Sequence, residues 1–135
     1  MNRAIKTNLK WAVVNTEGIK RIDYTQITFS QGNLQLPPGI EAIAENGQTV
    51  LFSWQYHEYH PWGSANDRCT VLVYNEAKNT FAYQIDTAPR AQSQYKFILP
   101  ASFAGDLVYA YLSFNSAYEQ NLCSNSYFIG RLTII

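Results

Sequence analysis

The spacing of hydrophobic residues changes near the beginning of the chain. In residues 2–14 apolar side chains recur at helical spacing, with Asn2 placed as an N-cap and Gly18 as a stop. After Gly18 apolar and polar residues alternate, which is the period of a β-strand. We therefore expect a short N-terminal helical segment, residues 1–18, followed by one β-domain, residues 19–135.

The alternating stretches predict about seven strands separated by turn residues. They cover residues 22–29, 49–54, 68–74, 80–85, 95–99, 106–114 and 126–135. Val50, Phe52 and Trp54 share one face of the second strand and are expected to be buried between two sheets. Since the strands are short and no helix-length gap separates them, an antiparallel sandwich is favoured over a fold of alternating strands and helices.

The sixth predicted strand carries large apolar side chains on both faces, which is typical of a central strand covered on both sides. One face holds Leu107, Tyr109 and Tyr111, and the other holds Val108, Ala110, Leu112 and Phe114. The opposing sheet can cover only one of these faces. The N-terminal helix or a second copy of the chain would cover the other, so we expect a docked helix or self-association.

The composition excludes several classes of protein. The chain has 135 residues, of which 47% are hydrophobic and only 15% are charged, so it has the size and the core of one folded domain. Ten Lys and Arg balance ten Asp and Glu, without a basic stripe, so nucleic acid is not an expected partner. No apolar run approaches the ~18 residues of a membrane span, and no membrane insertion is expected.

The chain resembles two known groups of domains. Trp54 on the second strand, Tyr74 at the end of the third, and Tyr109 and Tyr111 on the sixth resemble fibronectin type III and related immunoglobulin-like domains. Nearly the whole chain is similar to a family of uncharacterised bacterial proteins catalogued as a domain of unknown function. That similarity is carried by residues 22–24, 29–34, 50–54, 71–75, 99–106, 108–114 and 124–127. Members of this family are longer at the N-terminus, which implies that the chain is the C-terminal domain of such a protein. The resemblance implies a fold and no activity.

The two cysteines, Cys69 and Cys123, do not have the spacing of a metal or redox site. In the fibronectin strand order, the third and seventh strands lie on either side of the sixth, about 9.6 Å apart. A disulfide needs Cα atoms within about 7 Å. Free thiols are therefore expected.

The densest group of chemically active residues lies in the loop 55–67, with Tyr56, His57, Tyr59, His60 and Trp62. Two imidazoles with a carboxylate between them could bind a divalent cation, but the loop supplies no evident third or fourth ligand. We predict no metal site and no cofactor.

No catalytic motif is present, and we expect the protein not to be an enzyme. The chain has no G-x-S-x-G elbow and no glycine-rich phosphate loop before a helix. An enzyme that uses His57 or His60 is the remaining catalytic alternative. The carboxylates that could act in pairs fall in or beside predicted turns and are expected to be solvated. They are Glu41, Glu45, Asp67, Glu76, Asp86, Asp106 and Glu119.

The long loops predict a binding surface. In the fibronectin order, loops 55–67 and 115–125 emerge at the same end of the sandwich and place Tyr56, Tyr59, Trp62 and Tyr118 among Asn and Ser. This composition is typical of protein-binding and sugar-binding surfaces. Alternatively, Trp62 and one Tyr fold back to cap the core. The predicted function is a non-enzymatic binding or structural module for protein–protein contacts within a larger chain or assembly, with carbohydrate binding as the alternative.

Overall fold

The computed structural model describes residues 13–16, 19–22, 27–57 and 64–135, the first two ranges as backbone only. The strands are β1 (Val13–Thr16), β2 (Ile19–Ile22), β3 (Glu41–Glu45), β4 (Thr49–Ser53), β5 (Arg68–Asn75), β6 (Thr80–Gln84), β7 (Gln94–Ile98), β8 (Leu107–Asn115) and β9 (Tyr127–Thr133). Short 3-10 turns occupy Arg90–Gln92 and Ala101–Phe103. No helix in this part of the chain is long and apolar enough to cross a membrane.

Strands β3 to β9 form two antiparallel sheets. One sheet has the order β3-β4-β7 and the other has the order β6-β5-β8-β9, while β1 and β2 pair with each other as a hairpin. Alternate side chains of both sheets meet in the main core, as the period-two pattern requires. Val50, Phe52 and Trp54 are buried there. The predicted all-β sandwich with about seven strands, and the burial of these three residues, are confirmed.

The predicted first strand, residues 22–29, is not found as one strand: residues 23–26 lie outside the described residues, and residues 27–29 are not in a regular strand. Ile22 ends β2, while Ile27 and Phe29 belong to a connecting segment and not to a regular strand. The strand that precedes β4 in the chain and pairs with it is instead β3, which the pattern did not predict. In β3 the inward residue Ala42 is small, while the outward Ile43 is large, apolar and 50% exposed. The sequence of β3 therefore lacks the usual difference between an apolar inner face and a polar outer face.

The predicted N-terminal helix falls mainly on residues 2–12, which lie outside the described residues, so it stays a prediction there. Val13 and Val14, the last two residues of the predicted helix, belong to β1. The hairpin of β1 and β2 also spans the expected boundary between residues 18 and 19.

A second apolar cluster lies on the outer face of the four-stranded sheet. Leu72, Tyr74 and Tyr111 point outward there and are buried, and Ile27 and Phe29 pack over them. The rings of Phe29 and Tyr111 meet edge to face, with their centroids 6.4 Å apart. Both faces of β8 are therefore covered after its first residue, Leu107, which is 42% exposed, as predicted for a central strand. In the described part of the chain, residues 27–29 cover the outer face of β8. The sequence had predicted that a helix or a second copy of the chain would cover this face.

Hydrogen bonds hold this connecting segment against the loop between β8 and β9. The Ser30 hydroxyl donates to the Ser124 carbonyl at 2.6 Å, and the Leu34 amide donates to the Cys123 carbonyl at 3.0 Å. Between them, Gly32 lies so close that an added Cβ would stand 2.0 Å from the Cys123 carbonyl oxygen. Only glycine fits at this crossing.

Both cysteines are buried free thiols. Cys69 on β5 lies opposite Phe114 of β8. On the other side of β8, the backbone of Cys123 forms an isolated β-bridge with the next residue, Asn115. Strand β8 therefore lies between the two thiols. Burial raises the pKa of the Cys69 thiol far above its ordinary value, so this side chain behaves as an apolar core residue.

Candidate binding site at one end of the sandwich

Three connections leave the sandwich at the same end. Ser53 pairs with Gln94 across the three-stranded sheet, and Arg68 pairs with Asn115 across the other sheet. These registers bring together the β4–β5 loop (54–67), the β6–β7 connection (85–93) and the β8–β9 loop (116–126). We refer to these three segments as the loop end.

A buried ion pair lies beneath the loop end. Arg90 Nη2 and Nε stand 3.1 and 3.3 Å from Asp67 Oδ2, and the two side chains are only 0% and 1% exposed. The guanidinium also lies over the ring of Phe114, 4.6 Å from its centroid. Burial lowers the pKa of Arg90, and the Asp67 carboxylate opposes this effect. The guanidinium remains charged because its ordinary pKa is so high.

The carboxylate of Asp67 joins two of the three connections. Its Oδ2 accepts a hydrogen bond from the Ser64 amide at 2.9 Å, and its Oδ1 accepts one from the Ala117 amide at 3.1 Å. The Arg90 amide donates to the Asp67 carbonyl at 2.7 Å, which adds the third connection. Asp67 thus fixes the described end of the β4–β5 loop, residues 64–67, relative to Arg90 and Ala117 of the other two connections.

The same pair connects the loops to the core. Arg90 Nη2 donates to the Gln35 carbonyl at 2.9 Å, and the Trp54 indole N–H donates to the Arg90 carbonyl at 2.8 Å. The Trp54 ring packs edge to face on Phe114, with their centroids 5.2 Å apart. Arg90 Nη1 has no hydrogen-bond partner within the described ranges. The loop end therefore rests on a polar support that is rigid and costly to disturb.

Tyr118 lies in the β8–β9 loop, one residue after Ala117, and is 73% exposed. Asn66 Nδ2 donates to the Tyr118 hydroxyl oxygen at 2.8 Å, across the gap between two loops. The Ser116 hydroxyl accepts the amides of Tyr118 and Glu119 at 3.1 and 3.0 Å, which fixes the local turn. The Asn66 hydrogen bond, with a smaller contribution from Ser64, lowers the pKa of Tyr118. The ring is thus exposed and held in place.

The other predicted site residues are placed only in part. Tyr56 is half-buried and interacts electrostatically with Arg90, and His57 is exposed. Tyr59, His60 and Trp62 lie outside the described residues, so whether they join Tyr118 stays a prediction. Across residues 27–57 and 64–135 no three His, Cys, Asp or Glu side chains are grouped so that they could hold a metal ion.

The sequence did not reveal the residues that organise this end. Asp67 was expected to be solvated beside a turn, and this expectation is wrong because Asp67 is 1% exposed. Asp67 and Arg90 are 23 positions apart and lie in different connections between strands, so no local periodicity relates them. Only the scarcity of charged residues in this chain pointed to the importance of these two side chains. It did not show that Asp67 pairs with Arg90.

Comparison with known proteins gives the family and no activity. No curated protein matches the chain. The model of the family described as "Family of unknown function (DUF6266)" matches residues 1–130, which is nearly the whole chain. A match of this extent covers the complete loop end and both sheets except the last three residues of β9. The chain therefore belongs to the family of unknown function DUF6266.

Proposed function

We propose that the protein is a non-enzymatic binding module that contacts a protein partner through its loop end, within a larger chain or assembly. The observation that carries the proposal is Tyr118, an exposed aromatic ring held by neighbouring loops above a buried ion pair. A tyrosine fixed in this way offers apolar area and a polar tip to a partner with little loss of conformational entropy on binding.

The strand order supports kinship with immunoglobulin-like and fibronectin type III domains. The first, second and fifth strands of the sandwich form one sheet, and the fourth, third, sixth and seventh form the other. In immunoglobulin-like variable domains, recognition loops are clustered at one end of such a sandwich. The loop end occupies an equivalent position and combines Tyr118 with the polar residues Ser64, Asn66 and Ser116.

Preorganisation is the physical argument for binding. Loops that are mobile before binding lose entropy when they are ordered, which weakens association. Among the described residues of the loop end, Ser64 and Ala117 are already held in this way, since their amides donate to the Asp67 carboxylate. The absence of a large single-sign charge, with a formal net charge of zero, favours a partner recognised by shape and hydrogen bonding.

Photo-crosslinking tests this proposal. A benzoylphenylalanine at position 118 should capture a defined protein in cells that produce the chain, and one at position 83 should not. Tyr83 is a matched control because it is 39% exposed and lies opposite Leu72, which places it on the outer face of the sheet. Tyr118→Ala should abolish co-purification of the captured protein, whereas Tyr83→Ala should preserve it. Co-purification that survives Tyr118→Ala would contradict the proposal. Glycan binding lost in the same variant would replace the protein partner with a carbohydrate.

A further inference from the structure

We propose that a groove between β6 and β7 is a separate binding site for a neutral saccharide. These are the edge strands on one side of the sandwich, and the connection 85–93 joins them. The groove is open rather than enclosed, and its volume of about 450 Å³ falls within the roughly 300–1,000 Å³ typical of small-molecule sites. This site shares the connection 85–93 with the loop end but does not include Tyr118, so it does not depend on the protein partner proposed there.

The groove forms where the interior of the sandwich opens between the two edges. Gln84 of β6 lies opposite Val71, and Tyr95 of β7 lies opposite Phe52. Because directly opposed residues of antiparallel strands share a face, and because Val71 and Phe52 are core residues, Gln84 and Tyr95 also point inward. They line the groove with an amide and an aromatic ring.

Two charged residues complete the rim in fixed positions. Asp86 has a left-handed backbone, with φ of 54°, and is held by two hydrogen bonds. Its amide donates to Thr70 Oγ1 at 3.1 Å, and its Oδ1 accepts from Asn115 Nδ2 at 2.6 Å. Arg68 Nη1 donates to the Thr87 carbonyl at 3.1 Å. Aspartate tolerates this conformation better than most residues do, and the hydrogen bonds hold its side chain at the rim.

The chemistry of the rim favours a neutral ligand rich in hydroxyl groups. One guanidinium and one carboxylate give the groove no net charge, so neither an anion nor a cation has an electrostatic advantage. Asp86 accepts hydrogen bonds, Arg68 donates them and the Gln84 amide does both. Neighbouring sugar hydroxyls need donors and acceptors side by side, and the apolar face of a sugar ring packs on an aromatic ring such as Tyr95.

An extended peptide fits the groove less well. Strand addition requires free backbone groups, but those of the connection are already used. The Thr87 amide donates to the Cys69 carbonyl at 2.7 Å, and the Ala88 carbonyl accepts the Cys69 amide at 2.9 Å. Pro89 has no N–H to offer. Recognition along this connection must therefore use side chains, whereas a peptide that added to the edge of β6 or β7 would give the peptide response named in the test below.

Amide chemical shifts provide a direct test. The full chain, labelled with ¹⁵N, would be titrated with glucose, galactose, mannose, N-acetylglucosamine and their disaccharides. We expect at least one to shift the backbone amides of Asp86 and Gln92 and the side-chain amide of Gln84. Asp86→Asn preserves the shape and tolerates the left-handed backbone, yet removes the charged acceptor. That variant and Gln84→Ala should each weaken binding by about tenfold.

Tyr118→Ala is the control, and it should bind the sugar as well as the unaltered protein does. A well-dispersed amide spectrum for each variant shows that it is folded. Sugar binding that is lost in Tyr118→Ala but retained in Gln84→Ala would move the site to the surface around Tyr118 and overturn the proposal. Absence of response to every sugar, or response only to an extended peptide, would also overturn it. Because the protein partner depends on Tyr118 and the sugar on Gln84, failure of one proposal leaves the other intact.

Discussion

The substitution Asp67→Asn preserves the size of the side chain and removes its charge from the buried pair with Arg90. In the unaltered protein the two carboxylate oxygens accept hydrogen bonds from Arg90, Ser64 and Ala117. An asparagine has only one accepting oxygen, so its NH₂ group must face either Ala117 or the pair of donors on the other side. The guanidinium then remains buried without a counter-charge.

The expected loss follows from the burial of the pair. Removing one partner of a buried ion pair costs about 3–5 kcal/mol, because the other charge stays desolvated. A domain of ordinary stability has roughly 5–15 kcal/mol in total. Asp67→Asn should therefore remove a large part of the free energy of unfolding, by itself enough to make a marginal fold unstable at physiological temperature.

Urea unfolding followed by far-ultraviolet circular dichroism measures this loss. Asp106→Asn is the matched control, since Asp106 pairs with Lys78 at 2.6 Å in a more exposed position and should lose far less. The double variant Asp67→Leu and Arg90→Met removes both charges and should be more stable than Asp67→Asn. If Asp67→Asn unfolds at the same urea concentration as the unaltered protein, the ion pair is not the support of the loop end.

Three further outcomes are expected. Trp54→Ala should cost about 3–5 kcal/mol and abolish the near-ultraviolet dichroism, because it empties part of the main core; an unchanged melting curve would contradict this packing. The hydrogen bond from Lys78, followed by one from Asn75, lowers the pKa of Asp106 below its ordinary 3.8. The stability that the charged Asp106 gives to the folded protein is therefore complete above pH 3.8. It is lost as the pH falls through the folded-state pKa of Asp106. Carboxyl NMR titration of Lys78→Ala should move this pKa back toward 3.8, and an unshifted value would refute the assignment. Cys69 should resist alkylation in the native state and react in guanidinium, as mass spectrometry can show; rapid native labelling would show that its burial is wrong.

The alternation of apolar and polar residues was sufficient to predict most of the sandwich. Strands β4 to β9 each begin and end within a few residues of a predicted strand, and Trp54 is in the predicted core. This success has a local cause, because a strand buried on one face must alternate along its own length. The apolar residues on both faces of β8 likewise predicted that both faces are covered.

Only the tertiary structure decided what the covered faces touch and which charges pair. Ile27 and Phe29 alternate with polar residues as in a strand, but they do not belong to a regular strand. They are buried because they pack on the outer face of the four-stranded sheet. Asp67 and Arg90 look like loop residues, yet they meet in the interior from positions far apart in the chain. A local pattern records whether a side chain is buried, but the identity of its neighbours depends on how distant segments are brought together. For that reason the sequence by itself determined strands β4 to β9 and the core around Trp54, while the sheet order and register decided the loop end, its ion pair and the groove.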